Sequence, residues 1–288
     1  MTKDKEHTNQ KIIFISSYPK SGNTWVRILI GALLNKNNGI FSLKDLEEIK
    51  LFSQIIYFLH FDNLKYQKNG NLDFNFVVNN WINAQKRINQ RNPKVRFFKT
   101  HSIRGIINGN FFTNKTVCLG FIYIIRDPRD IVISVANHAG ITIDKAIEIM
   151  LFNNKFMTTT FQVDEPVGTW QNHLDSWINF KNVSNLIIKY EDIINNTSKI
   201  LNQIIDFLTN TAKLKIKNNS NLVGNVLQST SFDRLQQIEK NSGFKEASDY
   251  SKFFREGKSE QWKNILSVNQ IKLIEKELYK PMSRLGYI

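Results

Sequence analysis

A short polar loop near the start of the chain combines residue types that bind anions. The loop is Tyr-Pro-Lys-Ser-Gly-Asn-Thr-Trp, residues 18–25. Lys20 supplies a cation, and the hydroxyls of Ser21 and Thr24 supply hydrogen-bond donors. Gly22 lets a ligand approach the backbone closely, and the helical spacing that follows would point unpaired N–H groups at it. An ordinary tight turn with a hydroxyl cap explains the same residues, and the Walker A pattern is absent.

A second segment, residues 121–134, predicts a strand that ends on an arginine and continues into a helix. Arg126 would emerge at the carboxyl end of a central strand, where α/β sheets place ligands. Its planar guanidinium suits a phosphate dianion. Ser134, about two turns into the helix, could reach the same group. The alternative is a surface Arg–Asp pair with a serine that faces solvent.

His101 closes the segment Phe-Lys-Thr-His, which follows a short strand pattern. Imidazole suits the removal of a proton near neutral pH. A single histidine is more often structural, so His101 is preferred because of its position and its neighbour Lys99. The structural interpretation is given to the remaining histidines, His7, His60, His138 and His173.

Three later segments carry polar and aromatic residues. They are Tyr-Glu-Asp at 190–192, Ser-Thr-Ser-Phe at 229–232, and Arg-Glu-Gly-Lys-Ser-Glu-Gln-Trp-Lys-Asn at 255–264. Taken alone, Tyr190 would be a strand-end aromatic and Phe232 a core residue.

The order of these motifs resembles that of the cytosolic-type sulfotransferases that use PAPS (3′-phosphoadenosine 5′-phosphosulfate). In that family the first loop wraps the 5′-phosphosulfate, and its Trp stacks on adenine. An Arg and a Ser eight residues later hold the 3′-phosphate, and Arg126 and Ser134 have this spacing. The donor-binding residues that the resemblance implies are Lys20, Ser21, Gly22, Asn23, Thr24, Trp25, Arg126, Ser134, Tyr190, Thr230, Phe232, Arg255 and Gly257.

The resemblance also implies a mechanism. His101 would be the catalytic base, a role worth roughly 10²–10⁴ in rate. Lys20 and Lys99 would stabilise the charge on the leaving phosphate oxygen without a metal, and PAP (3′,5′-adenosine diphosphate) would be the product. The acceptor would be a small molecule with a hydroxyl or an amine, and residues 40–70 and 137–167 are the candidate walls of its pocket.

Four positions depart from the family pattern. Asn23 replaces a frequent Thr, although its amide can still donate a hydrogen bond. In the last motif Glu256 replaces a Lys, Glu260 the second Gly and Gln261 an Asp. A carboxylate near the 3′-phosphate would repel it. A catalytically weakened relative that binds PAPS or PAP is therefore the alternative hypothesis.

The net positive charge favours an anionic partner but does not identify which kind of anion binds. Lys and Arg number 39 against 25 Asp and Glu, a net charge of +14. Nucleic acid, an anionic membrane and a small polyanion are all compatible with it, and so is a solvated lysine surface. The basic residues are scattered, so we expect no nucleic-acid partner. A nucleotide kinase is the less favoured enzyme because the Walker A lysine is missing.

The elements that would position these motifs alternate between strand and helix patterns. Strands are predicted at 11–16, 95–99, 121–125 and 185–190, and residues 43–59 are predicted to be helical. Residues 157–167 are predicted to be an exposed loop or lid. This order predicts one α/β domain over 11–288, with a central parallel sheet flanked by helices and a P-loop-like nucleotide-binding core, after a disordered tail at 1–10.

The sequence says less about cellular location and oligomeric state than about fold and function. The charged N-terminus lacks the apolar stretch of a signal peptide, and no apolar run is long enough to span a bilayer. We therefore expect a cytoplasmic protein without membrane insertion. Cys118 is the single cysteine, which excludes an internal disulfide. The family's common dimer motif is absent from 249–254, and the oligomeric state stays open.

Overall fold

Strands and helices alternate along the part of the chain that the computed structural model describes, residues 10–153, 156–157, 162–216 and 219–288. The strands are β1 (Ile12–Ser17), β2 (Ile49–Leu51), β3 (Arg96–Thr100), β4 (Ile106–Ile107), β5 (Asn110–Phe111), β6 (Cys118–Ile125), β7 (Phe156–Met157), β8 (Glu165–Pro166) and β9 (Ser184–Lys189). The helices are α1 (Asn23–Leu34), α2 (Phe74–Arg91), α3 (Pro128–Ala139), α4 (Ile143–Phe152), α5 (Trp170–Ile178), α6 (Tyr190–Asn195), α7 (Thr197–Ala212), α8 (Ser220–Ser229), α9 (Phe232–Ser242), α10 (Trp262–Ile265), α11 (Val268–Glu277) and α12 (Tyr279–Leu285). None of these helices is long and apolar enough to cross a membrane. The predicted tail lies outside the described residues apart from Gln10.

The central sheet contains five parallel strands in the order β2-β3-β1-β6-β9. β1 pairs with β3 on one side and β6 on the other, and the register aligns Ser16 with both Thr100 and Tyr123. The carboxyl ends of three strands therefore meet at one edge of the sheet. The predicted parallel sheet is confirmed, and the predicted loop and arginine both lie at the edge where such sheets bind ligands.

Apolar residues cover both faces of the sheet. In β1, Ile12 and Phe14 belong to the core under α2, α3 and α5, whereas Ile13 and Ile15 belong to the core under α1 and α7. Successive residues of a strand point to opposite faces, so a strand buried on both sides requires a continuous apolar run. Burial of each such side chain contributes about 2 kcal/mol to the free energy of folding.

The helix predicted over residues 43–59 is wrong. Two short 3-10 helices, Leu43–Glu48 and Ile55–Tyr57, flank β2 instead. β2 pairs with β3, aligning Ile49 with Phe97. This pairing satisfies backbone groups that the outer side of β3 would otherwise expose, and a strand of three residues leaves no periodic pattern in the sequence.

The exposed loop predicted over residues 157–167 is wrong where the structure describes it. Residues 158–161 lie outside the described residues, but Val163, Glu165 and Val167 are buried. The carbonyl of Pro166 accepts a hydrogen bond of 2.7 Å from the backbone N–H of Ile103. This segment therefore packs against the chain that follows β3.

Candidate active site

The predicted phosphate loop joins β1 to α1 and is curled by two residues with positive φ, Lys20 at 68° and Gly22 at 96°. Such a conformation turns successive backbone N–H groups toward one concave side, which attracts anions. A Cβ atom on Gly22 would lie 2.5 Å from the Tyr190 ring, so only glycine fits. The hydroxyl of Ser21 is buried and has no hydrogen-bond partner among the described residues. The loop thus has the shape and the unused donor of an anion site.

Asn23 lies in this loop but directs its side chain away from it. Its amide nitrogen donates to the carbonyl of Ile15 at 3.1 Å and to the hydroxyl of Ser17 at 3.3 Å. Both amide hydrogens are used in these bonds, so this side chain anchors the loop to β1. The backbone N–H is the donor that Asn23 can still offer to a ligand.

Two lysines and a carboxylate meet beside the loop. Lys20 Nζ lies 4.6 Å from the centre of the Phe253 ring, and burial with repulsion from Lys99 lowers its pKa to about 8. Lys99 Nζ pairs with Glu246 Oε2 at 3.2 Å, and burial also lowers the pKa of Lys99. Both predicted catalytic lysines therefore lie in one partly desolvated cluster.

Arg27 and Glu246 belong to this cluster, although sequence reasoning missed both. Arg27 Nη1 donates to Glu246 Oε1 at 2.6 Å, and the Thr24 hydroxyl donates to Glu246 Oε2 at 2.8 Å. Burial alone would raise the pKa of Glu246, but Lys99 and Arg27 hold it well below its usual range. The sequence signal that could have identified this pair is an arginine inside the apolar run of α1. A buried arginine requires an acidic partner.

His101 is buried, and its ring has a defined tautomer. Nδ1 lies 2.7 Å from the carbonyl oxygen of Ser17. A carbonyl can only accept, so Nδ1 carries the proton and Nε2 keeps its lone pair. Burial, followed by repulsion from Lys99, lowers the pKa of His101 well below its ordinary value. The ring is therefore neutral near pH 7, with Nε2 as an acceptor.

Two buried residues, Glu165 and His173, hold the backbone around His101; His173 was expected to be structural, and Glu165 was not singled out. Glu165 Oε1 accepts from the Thr100 hydroxyl at 2.8 Å and from the His101 backbone N–H at 3.0 Å. His173 Nε2 donates to the His101 carbonyl at 3.1 Å, and its Nδ1 accepts from the Tyr123 hydroxyl at 2.8 Å. Contacts that span 50 to 72 residues leave no local pattern that could have identified these partners.

Arg126 is buried at the end of β6, which excludes the surface Arg–Asp pair. It donates to the carbonyl of Lys20 at 3.0 Å and to that of Lys258 at 3.4 Å. Its Nε is buried without a partner among the described residues, and its guanidinium lies 4.2 Å from the centre of the Tyr190 ring. Asp127 pairs with Arg129 instead. Arg126 therefore ties the phosphate loop to the segment around Lys258 and keeps one donor unused.

The predicted nucleotide-binding aromatics lie together. The Trp25 indole N–H donates to the Thr230 carbonyl at 3.2 Å, and its ring lies 6.3 Å from that of Tyr190. The rings of Trp25 and Phe232 are 5.9 Å apart, a distance of direct contact that leaves no space for a base between them. The Thr230 hydroxyl is bonded to the Val226 carbonyl within α8.

The last motif contacts Phe232 through its backbone at Gly257, whereas most of its charged side chains pair within the motif. Gly257 has a φ of 62°, and a Cβ there would lie 2.5 Å from the Phe232 ring. The guanidinium of Arg255 is bonded to Glu256 at 3.4 Å and Gln261 at 2.7 Å. The side chain of Glu260 is 64% exposed and pairs with Lys263, so its carboxylate faces solvent.

Ser134 and His138 lie one turn apart on α3. Ser134 is half-buried, and its hydroxyl makes no hydrogen bond within the described part of the chain. His138 Nδ1 is buried without a partner there, and burial with the nearby charges of Lys20 and Lys99 lowers its pKa to about 4. His138 therefore borders the lysine cluster, which its structural interpretation did not anticipate. Among the described residues, no group of His, Cys, Asp and Glu could hold a metal ion.

The chain is similar to known sulfotransferases over almost its whole length. A family model described as "Sulfotransferase domain" matches residues 10–286. Mouse sulfotransferase 1 family member D1 is 25% identical, and the alignment covers 94% of this chain and 83% of that protein. The structure of mouse sulfotransferase SULT7A1 complexed with PAP has a TM-score of 0.58 at 21% identity, covering 96% of this chain and 85% of that one. Retinol dehydratase in a complex with retinol and PAP has a TM-score of 0.61 at 19% identity, covering 94% and 80%.

At these identities the solved structures show the fold alone, and they confirm the predicted α/β class. The family assignment rests on the sequence model. Its match begins two residues before β1 and ends one residue after α12, so it includes every motif that suggested the resemblance. Because the model spans residues 10–286 of 288, this chain belongs to the sulfotransferase family.

Proposed function

We propose that this sulfotransferase moves a sulfuryl group from PAPS to a hydroxyl or an amine of a small molecule, with His101 as the general base. One observation carries the proposal. The phosphate loop with Lys20 lies at the carboxyl edge of the sheet. Lys99 and a neutral His101 with a free Nε2 lie beside it. A relative that binds retinol supports an alcohol as the acceptor.

The unpaired polar atoms fit an anionic donor. The Ser21 hydroxyl and Arg126 Nε are buried donors without partners among the described residues, and such atoms are normally satisfied. Ser21 and the loop N–H groups would hold the 5′-phosphosulfate, and Arg126 with Ser134 would hold the 3′-phosphate. Trp25 and Phe232 contact each other, so they would have to separate before adenine could stack between them.

The residues divide the chemistry between them. PAPS, when bound, supplies the sulfuryl group and leaves as PAP. His101 would accept the acceptor's proton at Nε2, while Nδ1–H stays on the Ser17 carbonyl and fixes the ring. Lys20 and Lys99 would stabilise the negative charge that develops on the leaving phosphate oxygen. Glu165 and His173 would keep the backbone of His101 in place.

Calorimetric titration with PAP tests the donor assignment, with ATP and AMP as reference ligands. We expect binding that weakens at least tenfold in Lys20→Ala and in Arg126→Ala, since each removes a cation from the phosphate site. Lys145→Ala and Arg234→Ala remove exposed cations elsewhere and should bind like the wild type. Thermal unfolding of each variant separates lost binding from lost folding.

Two other experimental results would favour a different function. A wild type that ignores PAP but binds ATP with Mg²⁺ would contradict the donor assignment and favour a kinase. PAP binding without turnover of any alcohol, phenol or amine would favour a weakened relative. The bonds of Arg255 to Glu256 and Gln261 support that second candidate, because they engage a predicted donor-binding guanidinium.

A further inference from the structure

Glu246 places a carboxylate at the centre of the cationic cluster. It lies in the segment between α9 and Arg255 and belongs to none of the motifs. Its Oε1 accepts from Arg27 Nη1 at 2.6 Å, and its Oε2 accepts from the Thr24 hydroxyl at 2.8 Å and from Lys99 Nζ at 3.2 Å. One side chain thus connects the first two turns of α1 to the end of β3.

The burial of Arg27 argues that Glu246 stays in place. The Arg27 side chain is 4% exposed, and Glu246 is its only hydrogen-bond partner in the described part of the chain. Withdrawal of Glu246 would leave a buried guanidinium without an opposite charge, which is strongly unfavourable. An ammonium has three N–H donors, so Lys99 can bind Glu246 and still bind a second anion.

Lys99 needs an opposite charge because its surroundings disfavour the ammonium. The charged groups that face it are Arg27 and Lys20, which repel it, and Glu246 and Glu165, which attract it. His101 and His138 are neutral near pH 7 and add no charge of their own. Glu246 is the attracting group in direct contact. Without it, a buried ammonium would remain beside two other cations.

We propose that Glu246 is a positioning residue of the sulfuryl-transfer reaction: its carboxylate holds Lys99 in place and keeps it protonated, ready to stabilise the leaving phosphate. This inference rests on the proposed function. It assigns a role to a residue outside the motifs, and it explains why an arginine interrupts the apolar run of α1.

The test compares Glu246→Gln with the wild type across pH 6–10. Gln keeps the shape and an accepting oxygen but removes the charge. The pKa of Lys99 is already lowered by burial, so its positive charge is lost as pH rises, and without Glu246 that loss starts at a lower pH. We expect the alkaline limb of kcat/KM for PAPS to move down by at least one unit, about a tenfold loss at pH 9. Glu246→Asp should restore part of it, and Glu277→Gln, which changes an exposed carboxylate on α11, should not move it.

Two readouts separate this inference from the proposed function. An NMR titration of the Lys99 side chain measures the effect of Glu246 without any donor, and calorimetry with PAP on the wild type measures donor binding. If the wild type does not bind PAP, the proposed function fails and the catalytic role fails with it. If PAP binds but Glu246→Gln leaves the titration of Lys99 and the alkaline limb unchanged, the inference alone is overturned.

Tighter PAP binding by Glu246→Gln at every pH would also overturn the inference, because it would mean that the donor displaces Glu246. A uniform loss of activity with an unchanged limb would show a purely structural role. If Glu246→Gln does not fold, the double variant Arg27→Met and Glu246→Gln removes both charges of the pair and provides the same comparison.

Discussion

At the scale of single residues, the proposed base His101 is held both at its ring and at its backbone. The Ser17 carbonyl takes the Nδ1 proton, while Glu165 and His173 bind the backbone on either side of the same residue. The ring can therefore present Nε2 without rotating. Its lowered pKa keeps it neutral, and therefore able to accept a proton, throughout the neutral range.

At this scale we predict the effect of His101→Asn. Asn can keep the bond to the Ser17 carbonyl but cannot accept a proton, so kcat should fall roughly 10²–10⁴-fold. PAP affinity should stay within about threefold, since the ring holds no phosphate in the proposed arrangement. Steady-state turnover and calorimetry measure the two effects. His60→Asn, an exposed histidine, is the control, and a kcat loss below tenfold would assign the base elsewhere.

At the scale of elements, residues 232–253 contact three residues of the predicted donor site and the predicted catalytic Lys99. Phe232 at the start of α9 touches Trp25, Glu246 binds Thr24 and Lys99, and Phe253 covers Lys20. The phosphate loop is held from the opposite side by Tyr190, at the start of α6. Site geometry therefore depends on how these elements pack, as well as on the loop itself.

Gly22→Ala tests this dependence. The positive φ strains any side chain, and the added Cβ would collide with the Tyr190 ring, so we expect a loss of about 1–3 kcal/mol in unfolding free energy and weaker PAP binding. Gly70→Ala is the matched control, since its φ of 82° is similar but its Cβ would meet nothing within 4 Å. Equal losses in urea denaturation would contradict a specific contact with Tyr190.

At the scale of the whole molecule, buried histidines couple folding to pH. We propose that residues 11–288 form one domain, so the effect of these histidines on stability applies to the whole domain. His173 is fully buried, and burial lowers its pKa to about 3. An unfolded histidine binds a proton below about pH 6.5. Between these values the unfolded state binds more protons than the folded state, so stability falls as pH falls.

His173→Gln should make this pH dependence weaker. Gln can keep both hydrogen bonds but does not titrate, so the slope of unfolding free energy against pH should drop by about 1.4 kcal/mol per unit between pH 4 and 6. Urea denaturation at several pH values measures it. His60→Gln should retain the wild-type slope, and an unchanged slope in His173→Gln would mean that His173 titrates in the folded protein.

The sequence by itself determined the parts of this protein that local patterns encode. The apolar runs of β1 and β6 predicted buried parallel strands, because burial on both faces permits no polar alternation. The loop from Lys20 to Trp25 was recognisable because glycine, hydroxyls and a cation follow a strand. The order of the motifs predicted the family, which the match over residues 10–286 confirms.

Only the tertiary structure decided which distant side chains surround the proposed catalytic residues. Glu246 lies 219 residues from Arg27, and Glu165 lies 64 from His101. β2 forms because β3 offers an edge, and Trp25 in α1 meets Phe232 at the start of α9 although the two are far apart in the sequence. Local sequence encodes propensity, whereas burial and charge pairing depend on which distant elements fold into contact, and the protonation of Lys99 depends on those contacts.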